Sequence, residues 1–346
     1  QGRALAQRVG VDGAMAKAIE FLEEALDTDP EFASCWTALA DAHISVAALT
    51  PSVERVKNSR DAAQCAQCAI SLDPGQGHAF SIMGIHEWTQ FNPARALELS
   101  FEAFARDPND ADVISRLGSC LLYLGKTREG LPFIEQSVAR DPIYGRNHVM
   151  LSSAYLSIGE VDKAIAAGQR MVDLGFPGMW LAVAYMAAGD HEAAVKAHYD
   201  SRIYLGTTIM RPPGMPVMDD AARDAYFDIA ARGIFSGKAA DRAVYCQMLD
   251  GLHATMADPY DSSIAFPAIW MGHADLVMKL YSECIHPANM FSLMSLWIDI
   301  DPINRTRLHP GFMLFAEKIG MVEAWEKFGW PDLIPHDPRN TSSDPD

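Results

Sequence analysis

The feature that most constrains the fold of this chain is a repeated proline spacing. Three Asp-Pro steps end at Pro74, Pro108 and Pro142, so they lie 34 residues apart. Small residues precede these prolines at two fixed offsets, as Ala62, Ala96 and Gly130 and again as Ala69, Ala103 and Ser137. Proline ends a helix, and small residues allow two helices to approach closely. The spacing therefore predicts a repeated unit of two packed helices.

The first half of each unit carries a second pattern, in which a large apolar residue is followed three and four positions later by Leu-Ala, Met-Gly or Leu-Gly. The members are Trp36, Leu39 and Ala40, then Phe80, Met83 and Gly84, then Ile114, Leu117 and Gly118. Together the two patterns resemble the tetratricopeptide repeat. This resemblance predicts an all-α fold, a right-handed α-solenoid of tetratricopeptide helix pairs with an irregular helical C-terminal part. At least five helix pairs are expected between residues 14 and 205.

The repeats divide the chain into three predicted parts. These are about six helix pairs over 1–205, irregular or degenerate helical repeats with a C-terminal cap over 206–334, and a disordered tail over 335–346. The unit at 33–74 is ten residues longer than the standard repeat, and we assign the surplus to a long turn within 47–58. A loop or hinge is expected at 206–216, which holds three prolines and two glycines.

Net charge and the length of apolar runs limit the classes of partner that this chain is expected to bind. The net charge of −17 disfavours binding of nucleic acid or of anionic lipid by this region. No apolar run approaches the roughly 20 residues of a spanning helix, so no membrane insertion is expected. A cytoplasmic location follows as the expectation, with the periplasm as the alternative if a transmembrane segment precedes the sequence.

The two ends of the chain carry a more specific resemblance. Residues 5–44 and 309–334 are similar to the start and the end of the repeat region of a group of bacterial signalling proteins. Members of that group join such repeats to a winged-helix transcription-regulator domain or to a class III adenylate cyclase domain. The winged-helix and cyclase residues themselves do not occur here. The resemblance therefore implies a sensing or partner-binding role and not the activity of either domain.

Catalytic and metal-binding motifs are not evident in the sequence. HExxH, GxSxG and phosphate-binding loop motifs do not occur, so the chain is expected not to be an enzyme and to need no cofactor. Cys65 and Cys68 form a CxxC without a second such pair, which favours small packing residues over a metal or redox site. His43 and Glu87 replace the tyrosine of the pattern in adjacent repeats. They are predicted to form a buried polar pair, with a ligand-recognition pair as the alternative.

The binding surface can be predicted from helix phase, because first helices line the concave face of such solenoids. Position 12 of successive units is apolar, and basic residues on the central first helices could attract an acidic group. The predicted partner-binding residues are Trp88, Leu122, Leu156, Arg116, Arg146, His78 and Ile85. The alternative is that position 12 only packs against the next repeat. The Lys and Asn residues that clamp a chaperone's C-terminal carboxylate are missing from these positions.

Two functions remain open at this stage. The first is a non-catalytic regulatory module of a bacterial signalling protein, which binds a protein or peptide in its concave groove. The second is a free-standing scaffold or assembly factor that joins protein partners. A homodimer is kept as an alternative to a monomer.

Overall fold

The computed structural model describes residues 14–49, 52–205, 218–255, 262–283 and 290–340, and these contain helices and turns but no strand. The repeat helices are α1 Ala14–Thr28, α2 Ala33–Leu49, α3 Ser52–Leu72, α4 Gly77–Thr89, α5 Pro93–Arg106, α6 Ala111–Tyr123, α7 Thr127–Arg140, α8 Gly145–Ser157, α9 Val161–Asp173, α10 Met179–Ala187 and α11 His191–Asp200. Each consecutive pair packs together, from α2 with α3 to α10 with α11. The prediction of an all-helical solenoid with at least five helix pairs is confirmed.

The repeat register is also confirmed. Helices α1, α3, α5 and α7 each end two residues before the proline of an Asp-Pro step. At the crossing of α4 and α5, a Cβ added at Gly84 would lie 3.0 Å from the carbonyl oxygen of Ala96. At the crossing of α6 and α7, a Cβ at Gly118 would lie 3.3 Å from the carbonyl oxygen of Gly130. The small residues therefore lie where the helix backbones approach most closely.

The long unit at 33–74 differs from the prediction. Only two residues separate α2 from α3, so the surplus does not form a long turn. Instead α2 has 17 residues and α3 has 21, whereas α4 and α5 have 13 and 14. Extra helical turns satisfy the backbone hydrogen bonds that a longer loop would leave to water, and this accounts for the difference.

The C-terminal part is helical, as expected, and it packs back on the repeats. After the short α12 Arg202–Tyr204 at the end of the repeats, its helices are α13 Asp220–Phe235, α14 Ala239–Thr255, α15 Ser262–Met271, α16 Ala274–Glu283, α17 Met290–Leu293, α18 Asp301–Arg307, α19 Phe312–Lys318 and α20 Met321–Phe328, with 3-10 turns at Met294–Trp297 and Pro338–Asn340. Helix α20 packs against α5, and the first 3-10 turn packs against α6 and α8. The buried indoles of Trp297 and Trp325 donate hydrogen bonds to the carbonyl oxygens of Tyr123 and Leu124. One core therefore joins both parts of the chain.

Two predicted segments fall partly or wholly outside the described residues. The loop expected at 206–216 lies outside them, as do residues 341–346 of the expected tail. Within the described part of that tail, Arg339 forms ion pairs with Asp337 and with Glu317 of α19.

Candidate functional site

The apolar row predicted for partner binding lies in the core. Trp88, Leu122 and Leu156 are buried, and the indole of Trp88 packs edge-on against Tyr123 with ring centroids 5.9 Å apart. Ile85 is half-buried against the core of the first repeats. The side chains at position 12 therefore pack in the core, which is the alternative that the sequence analysis gave for them. Trp88 contacts Tyr123 and Cys120 on the first helix of the next repeat, and all three side chains of the row belong to the main hydrophobic core.

An open groove lies at the other end of the first helices. It has a volume of about 690 Å³ and crosses the N-terminal halves of α2, α4 and α6 and the turn before α8. Its lining comprises Ser34, Thr37, Ala38, Asp41, Ser45, Gly75, Gln76, Gly77, His78, Asp107, Asp110, Ala111, Asp112, Asp141, Ile143 and Tyr144. Five of these residues are aspartates, and one is a predicted site residue, His78.

A charged network links the three helices beneath this groove. The carboxylate of Asp41 on α2 pairs with the guanidinium of Arg116 on α6. Asp41 also lies 3.3 Å from Nε2 of His78 on α4. The second imidazole nitrogen of His78 lies 3.7 Å from Asp110 and 3.9 Å from Asp112. The network therefore connects three successive repeats through charged side chains.

Protonation of His78 is favoured within this network. Burial and the Arg116 charge both oppose the imidazolium, but the neighbouring carboxylates of Asp110 and Asp41 outweigh them and raise the pKa of His78 to about 9. Burial acts to raise the pKa of Asp110, yet the nearby His78 imidazolium and two backbone N–H groups lower that pKa to about 2. Burial similarly opposes the charge of Asp41, whose pKa Arg116 and His78 hold well below its usual range. At neutral pH the network holds ionised groups of both signs.

Polar side chains continue the connection between first helices. Thr37 donates to the side-chain oxygen of Gln76 at 3.2 Å, and Ser115 donates to that of Asn147 at 2.8 Å. Arg116 donates to the hydroxyl of Ser81 at 2.9 Å, in addition to its pair with Asp41. These bonds fix the relative positions of the helices that line the groove.

The remaining predicted site residues have separate environments. Arg146 is half-buried and interacts with Tyr123 and Tyr144. His43 lies 3.3 Å from the side-chain oxygen of Asn58, whereas Glu87 accepts a hydrogen bond from Asn92 at 3.0 Å. The hydrogen bonds found for His43 and Glu87 therefore pair each of them with an asparagine of its own repeat.

Two clusters have the residue types of a metal site. Within the described residues, His78, Asp110 and Asp112 place one potential ligand atom each within 4.8 Å of the others. A metal ion there would have to displace the proton of His78, and Asp110 already accepts the N–H groups that begin α6. At the CxxC, burial raises the pKa of Cys65 to about 12, with smaller contributions from Cys68 and Asp61. That thiol is therefore protonated at neutral pH and is a poor metal ligand.

Sequence reasoning missed Asp107, Asp110 and Asp141 as groove residues. Asp107 and Asp141 belong to Asp-Pro steps, which we interpreted only as helix-ending signals. Asp41 and His78 are 37 residues apart and come together because their repeats stack. The available signal was phase, because residues near the start of successive first helices must share one edge of a solenoid.

Comparison with known proteins agrees with the fold. A family model described as a tetratricopeptide repeat matches residues 116–175, which begin within α6 and end just after α9. That segment is similar to a tetratricopeptide repeat, and the helix pairs on either side of it continue the same solenoid. No match to the sequence was found among curated proteins. None of the helices in the described ranges is both long and apolar enough to span a bilayer.

Several solved structures are similar to this one at low sequence identity. YrrB, a TPR protein with an unusual peptide-binding site, is 17% identical with a TM-score of 0.38, over 53% of this chain and 91% of that chain. PilF of Pseudomonas aeruginosa is 18% identical with a TM-score of 0.43, over 63% and 94%. The human IFIT1 dimer with PPP-AAAA is 16% identical with a TM-score of 0.48, over 78% and 67%.

Proposed function

We propose that this chain is a non-catalytic scaffold that binds a segment of a partner protein in the groove across α2, α4, α6 and the turn before α8. Solenoids of this type use extended concave surfaces to bind other proteins, and extended or helical peptides fit such grooves. The observation that carries the proposal is the contrast between two surfaces of the same helices. The groove is open and most of its lining residues are polar, whereas the apolar row at Trp88, Leu122 and Leu156 is buried.

Rigidity of the groove supports this function. The ion pairs of Asp41 with Arg116 and His78 connect three repeats, and the bond between Ser115 and Asn147 connects a fourth. A surface that is fixed before binding loses less conformational entropy when a partner docks. The same groups are already paired with one another, which suits a binding surface better than acid–base catalysis.

The cellular role within this proposal is that of a sensing module in a bacterial signalling protein. The support is the resemblance of residues 5–44 and 309–334 to the repeat regions of such proteins. The second candidate is a free-standing scaffold that joins protein partners, and the tetratricopeptide fold is equally compatible with it. Both candidates use the same groove, so one binding experiment addresses what they share.

The experiment fills the groove without changing its charge. Ser34 and Ser45 line it, so Ser34→Trp and Ser45→Trp place a large side chain in the space that a partner would occupy. Tagged parent and variant chains are used to capture proteins from a bacterial lysate, and captured proteins are quantified by mass spectrometry. We expect a defined set of proteins to be captured by the parent and lost with both variants.

The matched control is Gln169→Trp, an exposed and uncharged position in α9 outside the groove lining. It introduces the same side chain and should leave capture unchanged. Circular dichroism first establishes that all variants keep the parent's helical content. Capture of the same proteins by the parent and by both groove-filling variants would contradict the proposal.

A further inference from the structure

We propose that the segment bound in this groove is basic, carrying arginine or lysine side chains beside an apolar one. This inference rests on the proposed function and specifies the chemistry of the partner. Five aspartates line the groove, whereas the cations in its lining or against it are His78, Arg116 and Arg146, the last through Tyr144. The groove is therefore negative overall, as is the chain, which has a net charge of −17.

Three of the five carboxylates are already committed within the protein. Asp41 is paired with Arg116 and His78, and Asp110 accepts the N–H groups of Asp112 and Val113 at 2.9 Å. Asp107 accepts the N–H groups of two residues that follow it in the turn. These carboxylates have structural roles that explain their presence without any partner.

The other two carboxylates are not explained in that way. Asp112 is 43% exposed, and its only ion pair within the described residues is the 3.9 Å approach to His78. Asp141 belongs to the same Asp-Pro series as Asp73 and Asp107, whose carboxylates each accept the N–H two residues later. No such bond from Asp141 occurs in the described structure. Asp112 and Asp141 are therefore the carboxylates that can pair with cationic side chains of a partner.

An apolar contact lies beside these two carboxylates. Ile143 lines the groove two residues after Asp141, and its side chain is 72% exposed. Tyr144 follows it in the same lining. Burial of an isoleucine side chain against an apolar residue removes apolar surface from water, which favours binding. A segment with an apolar residue next to its basic residues would therefore gain both kinds of contact.

The length of the bound segment follows from helix spacing. Packed helices lie roughly 8–10 Å apart, so crossing from α2 to the turn before α8 covers about 30 Å. An extended chain rises about 3.3 Å per residue, which gives a segment of about nine residues. Such a segment is long enough for basic side chains at one end to reach Asp112 and Asp141.

The test uses three short fluorescein-labelled peptides that are identical except at their charged positions. Each contains one leucine and glycines, with arginine, glutamine or glutamate at the remaining positions. Fluorescence anisotropy measures their dissociation constants for the parent chain. We expect the arginine peptide to bind more tightly than the glutamine peptide, and the glutamate peptide most weakly. The advantage of the arginine peptide should shrink as salt is raised.

The decisive variant is Asp112→Asn combined with Asp141→Asn. The expected effect is about tenfold weaker binding of the arginine peptide, since two exposed ion pairs are lost. The matched control is Asp162→Asn combined with Glu192→Gln, which removes two exposed carboxylates from the first turns of α9 and α11. The control should change the affinity by less than about twofold. It alters the net charge of the chain by the same amount but removes no carboxylate from the groove.

The outcomes separate this inference from the proposed function. Equal weakening by both double variants, or tighter binding of the glutamate peptide, would overturn the basic class of partner. If Ser34→Trp and Ser45→Trp abolish capture of the native partners and the Asp112 and Asp141 variant does not, the groove remains the binding site and the partner is not basic. If the groove-filling variants change neither capture nor peptide binding, the groove itself is excluded.

Discussion

The indole Nε1 of Trp297 donates a hydrogen bond of 2.8 Å to the backbone carbonyl oxygen of Tyr123, 174 residues earlier in the chain. Tyr123 is the last residue of a first helix in the central repeats, so this bond joins the C-terminal part to the solenoid. Trp325 donates to the carbonyl oxygen of the next residue, Leu124, at 2.9 Å. The turn after α6 is thus where two buried tryptophans of the C-terminal part satisfy their polar groups.

Gly125 tests this junction, and Gly159 is its matched control one repeat later. Both have positive φ, +74° and +79°, so alanine is strained at either position by about 1–2 kcal/mol. Only at Gly125 would the new Cβ meet other atoms, at 2.6 Å from the Trp297 ring and 2.7 Å from Pro331. We expect Gly125→Ala to reduce the free energy of unfolding by about 1–3 kcal/mol more than Gly159→Ala.

Urea denaturation of both variants, followed by far-ultraviolet circular dichroism, measures that difference. Tryptophan fluorescence should report the same order, because the Trp297 indole is directly displaced. Equal losses in the two variants would mean that the C-terminal part contributes no stability through this turn.

The crossing of α6 and α7 gives a second prediction. A Cβ at Gly118 would lie 2.7 Å from Cγ1 of Ile134 and 3.1 Å from its backbone nitrogen. We expect Gly118→Leu to overpack this crossing and to cost on the order of 1–3 kcal/mol or more. Gly251 in α14 is the control, because a Cβ there meets nothing within 4 Å. Gly251→Ala should stabilise the chain by about 0.5–1 kcal/mol, since alanine has the higher helix propensity.

Thermal melting monitored by circular dichroism distinguishes these two glycines. A melting temperature for Gly118→Leu within a degree of the parent would show that the helix register is wrong at this crossing.

The repeat fold could be predicted from the sequence because its determinants are local and periodic. Pro74, Pro108 and Pro142 each end a unit, and the glycine at 118 marks a crossing, so the spacing alone fixes the register. The long α2 and α3 could not be predicted in the same way. The ten surplus residues could form either a long turn containing Pro51 or additional helical turns. No periodic signal in the sequence distinguishes these two alternatives.

The candidate site was predicted only in part, and the physical reason is pairing between distant residues. His78 was identified by phase, but its partners Asp41 and Asp110 come from other repeats. Trp88 was predicted to be available because it lies on a first helix. In the structure its ring packs against Tyr123 and its indole N–H donates to Cys120, both 32 or more residues later in the chain. Non-local packing thus decides which residues of a predicted surface stay open.

His198 provides a prediction about acid stability. Burial alone lowers the pKa of this imidazole to about 4, and it lies among the rings of Phe227 and Phe235. Neither ring nitrogen has a hydrogen-bond partner in the described structure. The unfolded chain binds this proton near pH 6.5, whereas the folded chain does not until about pH 4. Stability present above pH 6.5 is therefore lost as the pH falls, by about 1.4 kcal/mol per unit.

His198→Phe keeps an aromatic ring in this cluster and cannot take up a proton. We expect the free energy of unfolding of this variant to fall less steeply than that of the parent between about pH 6.5 and pH 4. Urea denaturation at a series of pH values measures both slopes. Parallel slopes would show that His198 is able to protonate in the folded chain.

The last prediction concerns the pairing of His78 with Asp41, which should make stability depend on pH in the alkaline direction. Because the folded-state pKa of His78 is about 9 and the unfolded value is about 6.5, the contribution of its imidazolium is fully present below pH 6.5. It is lost as the pH rises through about 9. Asp41→Asn removes the nearest carboxylate, which also pairs with Arg116, so Asp110 alone opposes the repulsion from Arg116 and the pKa of His78 should fall.

Asp112→Asn is the matched control, since that carboxylate lies farther away at 3.9 Å and is more exposed. Proton NMR titration of the His78 ring, identified by comparison with His78→Gln, should show a large downward shift in Asp41→Asn and a small one in Asp112→Asn. An unchanged pKa of His78 in Asp41→Asn would mean that Asp41 does not stabilise the imidazolium, and that Asp110 does so instead.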